Sequence, residues 1–314
     1  MKSLTIIVPI YNEEEVIPSF LDALKEVISN LRHRYAVDFL FIDDGSLDSS
    51  VSTITHLYAE ESARLLKLSR NFGKEAAIAA GLDHAESDAV ILIDVDLQDP
   101  PELIEKFLAE WENGYQVVYG VRKVRRKDSF LKRVSAGLFY RIFNLLSDVR
   151  IPEHAGDFRL LDVEVVAALR QLPERARFTK GLYAWAGFRS IGIPYERPSR
   201  EKGRTKWNYW GLWNLALDGI LSFSDRPLRL FTYTGLLISS GSFIYAANTV
   251  FKAVFLGIET KGYASLMTAI TFLGGLQLLF FGILGEYLGR VFLEVKQRPR
   301  YLIMQDIRLG KKAG

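Results

Sequence analysis

A few short polar clusters carry the chemistry open to this sequence. Asp94-Val95-Asp96 follows an apolar run. Paired carboxylates with open coordination positions suit Mg²⁺ or Mn²⁺, which keep some of their water and take the rest of their shell from a diphosphate. Regular strand alternation would set both side chains on one face, whereas a turn at the strand end aims them separately. Such a pair is weak evidence alone, because Asp at strand ends also makes turns and caps helices. Asp43-Asp44-Gly45-Ser46 is a second acidic pair, able to hold uracil or ribose through carboxylate hydrogen bonds. An Asp-Gly turn with Ser46 or Asp48 as helix cap is the other use of those residues. In Arg70-Asn71-Phe72-Gly73-Lys74 the glycine lets backbone approach closely, and Lys74 either meets phosphate or stays a solvated charge at a helix start. The G-x-x-x-x-G-K-[ST] pattern is absent, which disfavours hydrolysis by a P-loop.

These clusters need a scaffold, and the first 120 residues supply one. Short β-rich runs at Leu4–Ile10, Val37–Ile42, Arg64–Leu68, Ala89–Ile93 and Gln116–Gly120 alternate with segments of helical periodicity. That order predicts an α/β fold with a mostly parallel sheet, whose ligands bind beyond the carboxyl ends of the strands. The polar clusters, with Pro9-Ile10-Tyr11-Asn12-Glu13, all fall just after a predicted strand.

The rest of the chain has a different character. Leu230–Phe251 and Gly262–Gly285 are runs of 22 and 24 residues without Asp, Glu, Lys or Arg. Each is long enough as a helix to span a hydrocarbon core of about 30 Å. The net charge of +3 divides into 31 basic and 33 acidic residues up to position 229, against 9 basic and 4 acidic residues beyond it. Arg226 and Arg229 before the first run, and Arg290, Lys296, Arg298 and Arg300 after the second, predict that both termini are cytoplasmic. Phe130–Leu146 and Trp207–Phe223 read as amphipathic helices in the membrane interface, or as core helices packed on the sheet. The expected units are a catalytic domain over 1–206, an interfacial helix and linker over 207–229, two transmembrane helices over 230–289 and a basic tail over 290–314. Gly235, Ser239, Gly285 and Gly289 would let membrane helices approach closely, so a homo-oligomer is expected. The absence of cysteine excludes disulfides, thiolate metal sites and cysteine nucleophiles, and the four histidines have no metal-ligand spacing. The first residues do not resemble a signal peptide, so the first domain is expected to stay where it is made. Basic residues cluster beside apolar segments, which does not imply nucleic acid.

Val8-Pro9-Ile10-Tyr11-Asn12-Glu13-Glu14, Asp43-Asp44-Gly45-Ser46, Asp94-Val95-Asp96-Leu97-Gln98-Asp99-Pro100-Pro101 and Gly156-Asp157-Phe158-Arg159-Leu160 resemble, in this order, motifs of family 2 glycosyltransferases of the GT-A fold. More narrowly the chain resembles the polyprenyl-phosphate glycosyltransferases, relatives of dolichol-phosphate mannosyltransferase and especially the bacterial bactoprenol glucosyltransferases. Leu172-Pro173-Glu174-Arg175, Phe178-Thr179-Lys180-Gly181 and Gly203-Arg204-Thr205-Lys206-Trp207-Asn208 belong to that narrower match. The resemblance implies a Rossmann-like GT-A domain in which Pro9, Tyr11, Glu13, Asp43 and Asp44 hold the nucleoside. It further implies that Asp94 and Asp96 hold the sugar nucleotide and Mg²⁺ or Mn²⁺, that Gln98 faces the sugar, and that Asp157 is the base or an orienting group. Lys74 is expected on the donor, and Arg159, Arg200, Arg204 and Lys206 around a polyprenyl phosphate. The implied reaction is inverting transfer of glucose from UDP-glucose to undecaprenyl phosphate at the inner membrane. GDP-mannose, UDP-GlcNAc, UDP-galactose or UDP-aminoarabinose are alternative donors. A processive synthase would need more spans and a Q-x-x-R-W motif, and a sugar-lipid flippase would leave the polar strand ends without purpose.

Overall fold

The computed structural model describes residues 1–58, 62–123, 149, 152, 155–172, 174–175, 177–196, 226–256 and 262–310. Eight strands form one sheet: β1 (Lys2–Ile10), β2 (Tyr35–Asp43), β3 (Ala63–Leu68), β4 (Ala89–Leu92), β5 (Val117–Arg122), β6 (Ala155–Asp162), β7 (Ser190–Tyr195) and β8 (Ile303–Leu309). Their order across the sheet is β7-β5-β6-β4-β1-β2-β3-β8. The β1/β2, β1/β4, β2/β3 and β5/β7 pairs are parallel, while β6 runs antiparallel to both β4 and β5, and β8 antiparallel to β3. The sheet is therefore mostly parallel, as the strand and helix alternation predicts.

Both faces are covered, and the two-residue period of the strands divides the core accordingly. Leu4, Ile6 and Val8 of β1 pack with Phe20, Leu21 and Leu24 of α1 (Ile17–Leu31), Ile54 of α2 (Ser50–Leu57), and Ile104 and Phe107 of α4 (Leu103–Glu112). Ile7 points the other way, toward Ala77, Ile78 and Ala80 of α3 (Lys74–His84), Val165 and Leu169 of α5 (Val163–Gln171), and Leu182 of α6 (Thr179–Trp185). At Gly81 the helix lies so close to β1 that any Cβ would overlap the Ile7 side chain. That contact reflects how closely the C-terminal half of α3 packs on β1.

Residues 303–309 correct the expectation of a tail over 290–314. This stretch is edge strand β8, tied by paired bonds of 2.8 and 2.7 Å from Arg64 to the Asp306 carboxylate, and preceded by a 2.9 Å bond from Ser69 N–H to Leu302 O. Its seven residues mix Gln305, Asp306 and Arg308 with apolar side chains, a pattern too polar to stand out in sequence. Tyr301 and Arg300 add hydrogen bonds to Asp83 at 2.9 and 3.1 Å.

Two long helices lie between the sheet's last two strands in sequence: α7 (Arg226–Leu256) and α8 (Tyr263–Val295), joined by a contact between the rings of Phe231 and Phe280. They overrun the expected 230–289 boundaries at both ends. Among the described residues no helix is long and apolar enough to cross a membrane, so the two expected spans are not borne out there. α7 is continuous and carries Ser239, Ser240, Ser242 and Asn248, and α8 carries Glu286, Arg290 and Glu294 in its C-terminal part. Large apolar side chains nevertheless remain exposed on both, among them Leu237, Phe243, Ile244, Leu278 and Phe281. The amphipathic stretches Phe130–Leu146 and Trp207–Phe223 lie outside the described residues.

Gly81→Ala is expected to force Ile7 off its rotamer and lower stability by about 1–3 kcal/mol, the usual range for overpacking. Chemical unfolding of the purified variant beside the wild type measures it.

Candidate active site

The polar clusters meet at the carboxyl edge of β1, β2, β3 and β4. The loop after β2 is held from within. Asp43 is fully buried and accepts the Ser46 N–H on both oxygens, and Asp44, almost as buried, accepts Phe72 N–H at 2.7 Å and Gly73 N–H at 2.9 Å. Burial raises the pKa of both carboxyls against these hydrogen bonds. Gly45, at φ +72°, lies against the Arg70–Asn71 backbone where a Cβ would collide. Asp44 therefore links the β2 and β3 loops. Ser46 and Ser50 extend the brace to the β1 loop, where their hydroxyls accept the Asn12 and Glu13 N–H groups at 2.9 Å. Pro9 near the end of β1, and Tyr11 and Glu13 on that loop, are partly exposed. Asp43 and Asp44 thus brace the loops at this edge through backbone N–H groups.

β4 ends at Leu92, so strand alternation no longer governs Asp94 and Asp96. Leu97 takes a left-handed φ of +55°, and Asp96 accepts the Gln98 N–H at 3.2 Å. The turn gives the two carboxylates different partners. Asp94 Oδ2 meets Lys74 Nζ at 2.7 Å, and the same ammonium lies 2.7 Å from Asp157 Oδ2. Asp157 arrives by topology: β6 is antiparallel to β4, with Arg159 opposite Leu92, so its first residues lie at β4's carboxyl end. Lys180 approaches the other oxygen of Asp157 at 3.5 Å and donates to Ala155 O at 3.2 Å.

Electrostatics follow from this packing. Burial disfavours the Lys74 ammonium, but Asp94 and Asp157 outweigh it and hold the group charged far above the ordinary lysine range. Burial would likewise raise Asp157, yet Lys180, Lys74 and Arg159 pull its carboxyl well below the usual carboxylate range. A carboxylate so strongly stabilised is a poor proton acceptor. Burial raises Asp94 against the pull of Lys74, with repulsion from Asp157 adding to the rise. Glu75 accepts both the N–H and the hydroxyl of Thr179, and burial together with the Asp157 charge pushes it up to about 7.

Of the cations expected around a phosphate, Arg159 is only 3% exposed. The two-residue period turns Asp157, Arg159 and Leu161 toward α6, where the guanidinium stacks 3.8 Å from the Tyr183 ring and donates to Gly156 O at 2.7 Å. It lies beneath the site and not on its surface. Arg200, Arg204 and Lys206 fall outside the described residues. Sequence reasoning assigns no role to Glu75, Asp99, Arg122, Lys180, Tyr183 or Tyr195. Asp99, 1% exposed, accepts the Tyr195 hydroxyl and faces Arg122 at 3.6 Å, while Arg122 donates to the Tyr195 oxygen at 3.1 Å. Asp99 stands in the Asp94–Asp99 run and Lys180 in the Phe178–Gly181 motif, and those are the signals that could have marked them. Among the described residues no group of three or more His, Asp or Glu side chains could hold a metal ion. Asp94 and Asp96 supply two hard oxygen ligands, which fits Mg²⁺ or Mn²⁺ completing its shell from a diphosphate and water.

Residues 5–170 match the family described as Glycosyl transferase family 2, and residues 226–291 match the GtrB C-terminal hairpin. The chain belongs to glycosyltransferase family 2. Among its relatives in the family, an uncharacterized glycosyltransferase of Synechocystis sp. is 47% identical over 96% of this chain and 94% of the relative. The SfII prophage-derived bactoprenol glucosyl transferase of Shigella flexneri is 46% identical over 97% of this chain and 98% of that protein. A solved likeness is mannosyl-3-phosphoglycerate synthase from Rubrobacter xylanophilus, at 16% identity and a TM-score of 0.49, covering 74% of this chain and 75% of that one. As a family 2 glycosyltransferase the protein is an α/β enzyme of the GT-A fold that transfers sugar, and the Asp94, Lys74 and Asp157 contacts lie in the region matched to that family.

Glu75 gives this glycosyltransferase a pH signature. Its folded pKa is raised from an ordinary 4.5 to about 7, so the folded state binds the extra proton and Glu75's contribution to stability declines as pH rises between those values. Glu75→Gln keeps an oxygen for Thr179 and cannot ionise. It is expected to gain about 1–3 kcal/mol over wild type between about pH 5 and about pH 8, read from unfolding curves across that range.

Proposed function

We propose that this enzyme transfers glucose from UDP-glucose to undecaprenyl phosphate, or a similar polyprenyl phosphate, with inversion, at the cytoplasmic face of the inner membrane. The observation that carries this reading is the near full-length likeness to a bactoprenol glucosyl transferase at 46% identity. The joined donor and acceptor carboxylates, Asp94 and Asp157 on one ammonium, suit it.

The acceptor is a phosphate monoester with a second pKa of ~6, largely dianionic near neutrality, so its oxygen attacks the anomeric carbon without needing a base. The bond from that carbon to the UDP oxygen breaks in line, and its electron pair leaves with UDP. Asp157, held ionised by two lysines, orients the acceptor or a sugar hydroxyl, and proximity carries much of the rate. When bound at Asp94 and Asp96, Mg²⁺ or Mn²⁺ offsets the charge developing on departing UDP. Lys74, on the donor side of Asp157, would meet the diphosphate. The nucleoside rests against Pro9, Tyr11 and Glu13, in a wall braced by Asp43 and Asp44, and Gln98 faces the sugar. Arg200, Arg204 and Lys206 are proposed around the lipid phosphate.

The long helices are proposed as a membrane hairpin with both termini cytoplasmic. Their charge-free runs of 22 and 24 residues and exposed apolar side chains support this. So does the chain path: α8 ends with Glu294 accepting the Arg175 N–H at 2.8 Å, and β8 then joins the catalytic sheet. A chain that leaves and re-enters the same sheet crosses the bilayer an even number of times. Gly235 and Gly289 have open space beside them and would serve association of copies.

Purified protein mixed with radiolabelled UDP-glucose, Mg²⁺ and polyprenyl phosphate should yield labelled lipid. Asp96→Ala should cut the rate roughly a hundredfold or more, as expected when charge stabilisation on the leaving group is removed. No labelled lipid, or undiminished label in the variant, would sink metal-assisted transfer, and an α linkage in the product by NMR would sink inversion.

A further inference from the structure

We infer that Lys180 is the cation that receives the acceptor's phosphate monoester, with the Asp157 carboxylate as its resting partner; this rests on the transfer reading above. The charged groups form a row. Lys74 lies between Asp94 and Asp157, on the donor side, and Lys180 meets the opposite oxygen of Asp157. The two lysines differ in how firmly they are held. Lys74 is 2.7 Å from both of its carboxylates, whereas the contacts of Lys180 are 3.2 Å to Ala155 O and 3.5 Å to Asp157. Charge-assisted N–H···O bonds are usually about 2.7–2.9 Å, so the Lys180 ammonium is only loosely engaged by these two oxygens. Its side chain is 27% exposed, which leaves it open to an incoming anion.

The backbone that carries Lys180 is nonetheless anchored. Thr179, its neighbour, gives both its N–H and its hydroxyl to Glu75. Glu75 directly follows Lys74, so one two-residue segment holds the donor-side ammonium and fixes the segment bearing the acceptor-side one. Arg159, beneath, adds a buried positive charge whose Nε has no hydrogen-bond partner among the described residues, raising the local potential for an anion. A phosphate dianion has more charge and more acceptor oxygens than the carbonyl and the distant carboxylate that Lys180 now contacts. Lys180 therefore exchanges these contacts for the phosphate while its backbone stays in register.

The test uses the full-length protein in detergent micelles, with farnesyl phosphate as acceptor. Lys180→Met should raise the KM for farnesyl phosphate roughly tenfold or more, the loss expected for one hydrogen bond to a charged group. The KM for UDP-glucose should stay within about twofold, and Lys180→Arg should recover most of the acceptor KM. A rise confined to the UDP-glucose KM would assign Lys180 to the donor diphosphate and overturn the inference, as would an unchanged acceptor KM. A second measurement needs no variant: in wild-type protein, farnesyl phosphate should shield Lys180 from amine acylation, scored by mass spectrometry, while inorganic phosphate and UDP at equal concentration should not. Failure to shield overturns the inference. Shielding without any sugar transfer would uphold the phosphate site and overturn the glucosyl-transfer reading.

Discussion

One ammonium group holds this site together. Lys74 bridges Asp94 and Asp157 at 2.7 Å each, and without it two carboxylates would face one another in a partly dehydrated pocket beside Glu75. Like charges at such separations either repel or force a proton onto one partner. The bridge lets Asp157 remain ionised, while burial, with repulsion from Asp157 added, raises the carboxyls of both Asp94 and Glu75. Breaking such a pair by removing one partner costs far more than its net contribution to folding, because a charge is left behind. The backbone just before Lys74 is held in turn by the Asp44 brace on Gly73, and α3 packs closely on β1 at Gly81 and Ile7.

The sheet's mixed direction is what makes the site possible. In the parallel part, β1, β2, β3 and β4 all present their carboxyl ends, and their loops, on one edge. Asp157 reaches that edge from the opposite direction, because β6 is antiparallel and starts there. A residue at the beginning of a strand thereby meets residues following other strands. At the far side β8 closes the sheet after the long helical excursion, and the Arg64–Asp306 pair ties it down. That exposed ion pair contributes modestly by itself, so the strand's ladder with β3 does most of the anchoring.

Much of the fold was legible. The five early strand runs, the polar residues after them and the two apolar runs all read directly from periodicity and charge, because those signals are local. The Asp94–Asp96 pair was legible as a candidate ligand set for the same reason. Asp43 and Asp44 were legible as a motif, but not their bracing contacts, Asp43 on the N–H of Ser46 in its own loop and Asp44 on N–H groups of the loop after β3. Arg159 shows the same gap, since no local pattern announces that its side of β6 packs against Tyr183. β8 was not legible because a short edge strand whose polar and apolar side chains do not alternate has little signal until a partner strand is known.

The sequence by itself determined the family, the α/β alternation, the acidic motifs and the division between a near-neutral sheet domain and an apolar, basic second part. Each depends on residue type and short spacing, which need no partner. Only the tertiary structure decided which charges meet. Lys74, Asp94, Asp157 and Lys180 are separated by as many as 106 positions in the chain, and their pairing depends on the antiparallel entry of β6 and the packing of α3 and α6 on one face of the sheet. Charge compensation in a pocket is a matter of ångströms, and those distances come from the packed sheet and helices, not from the order of residues along the chain.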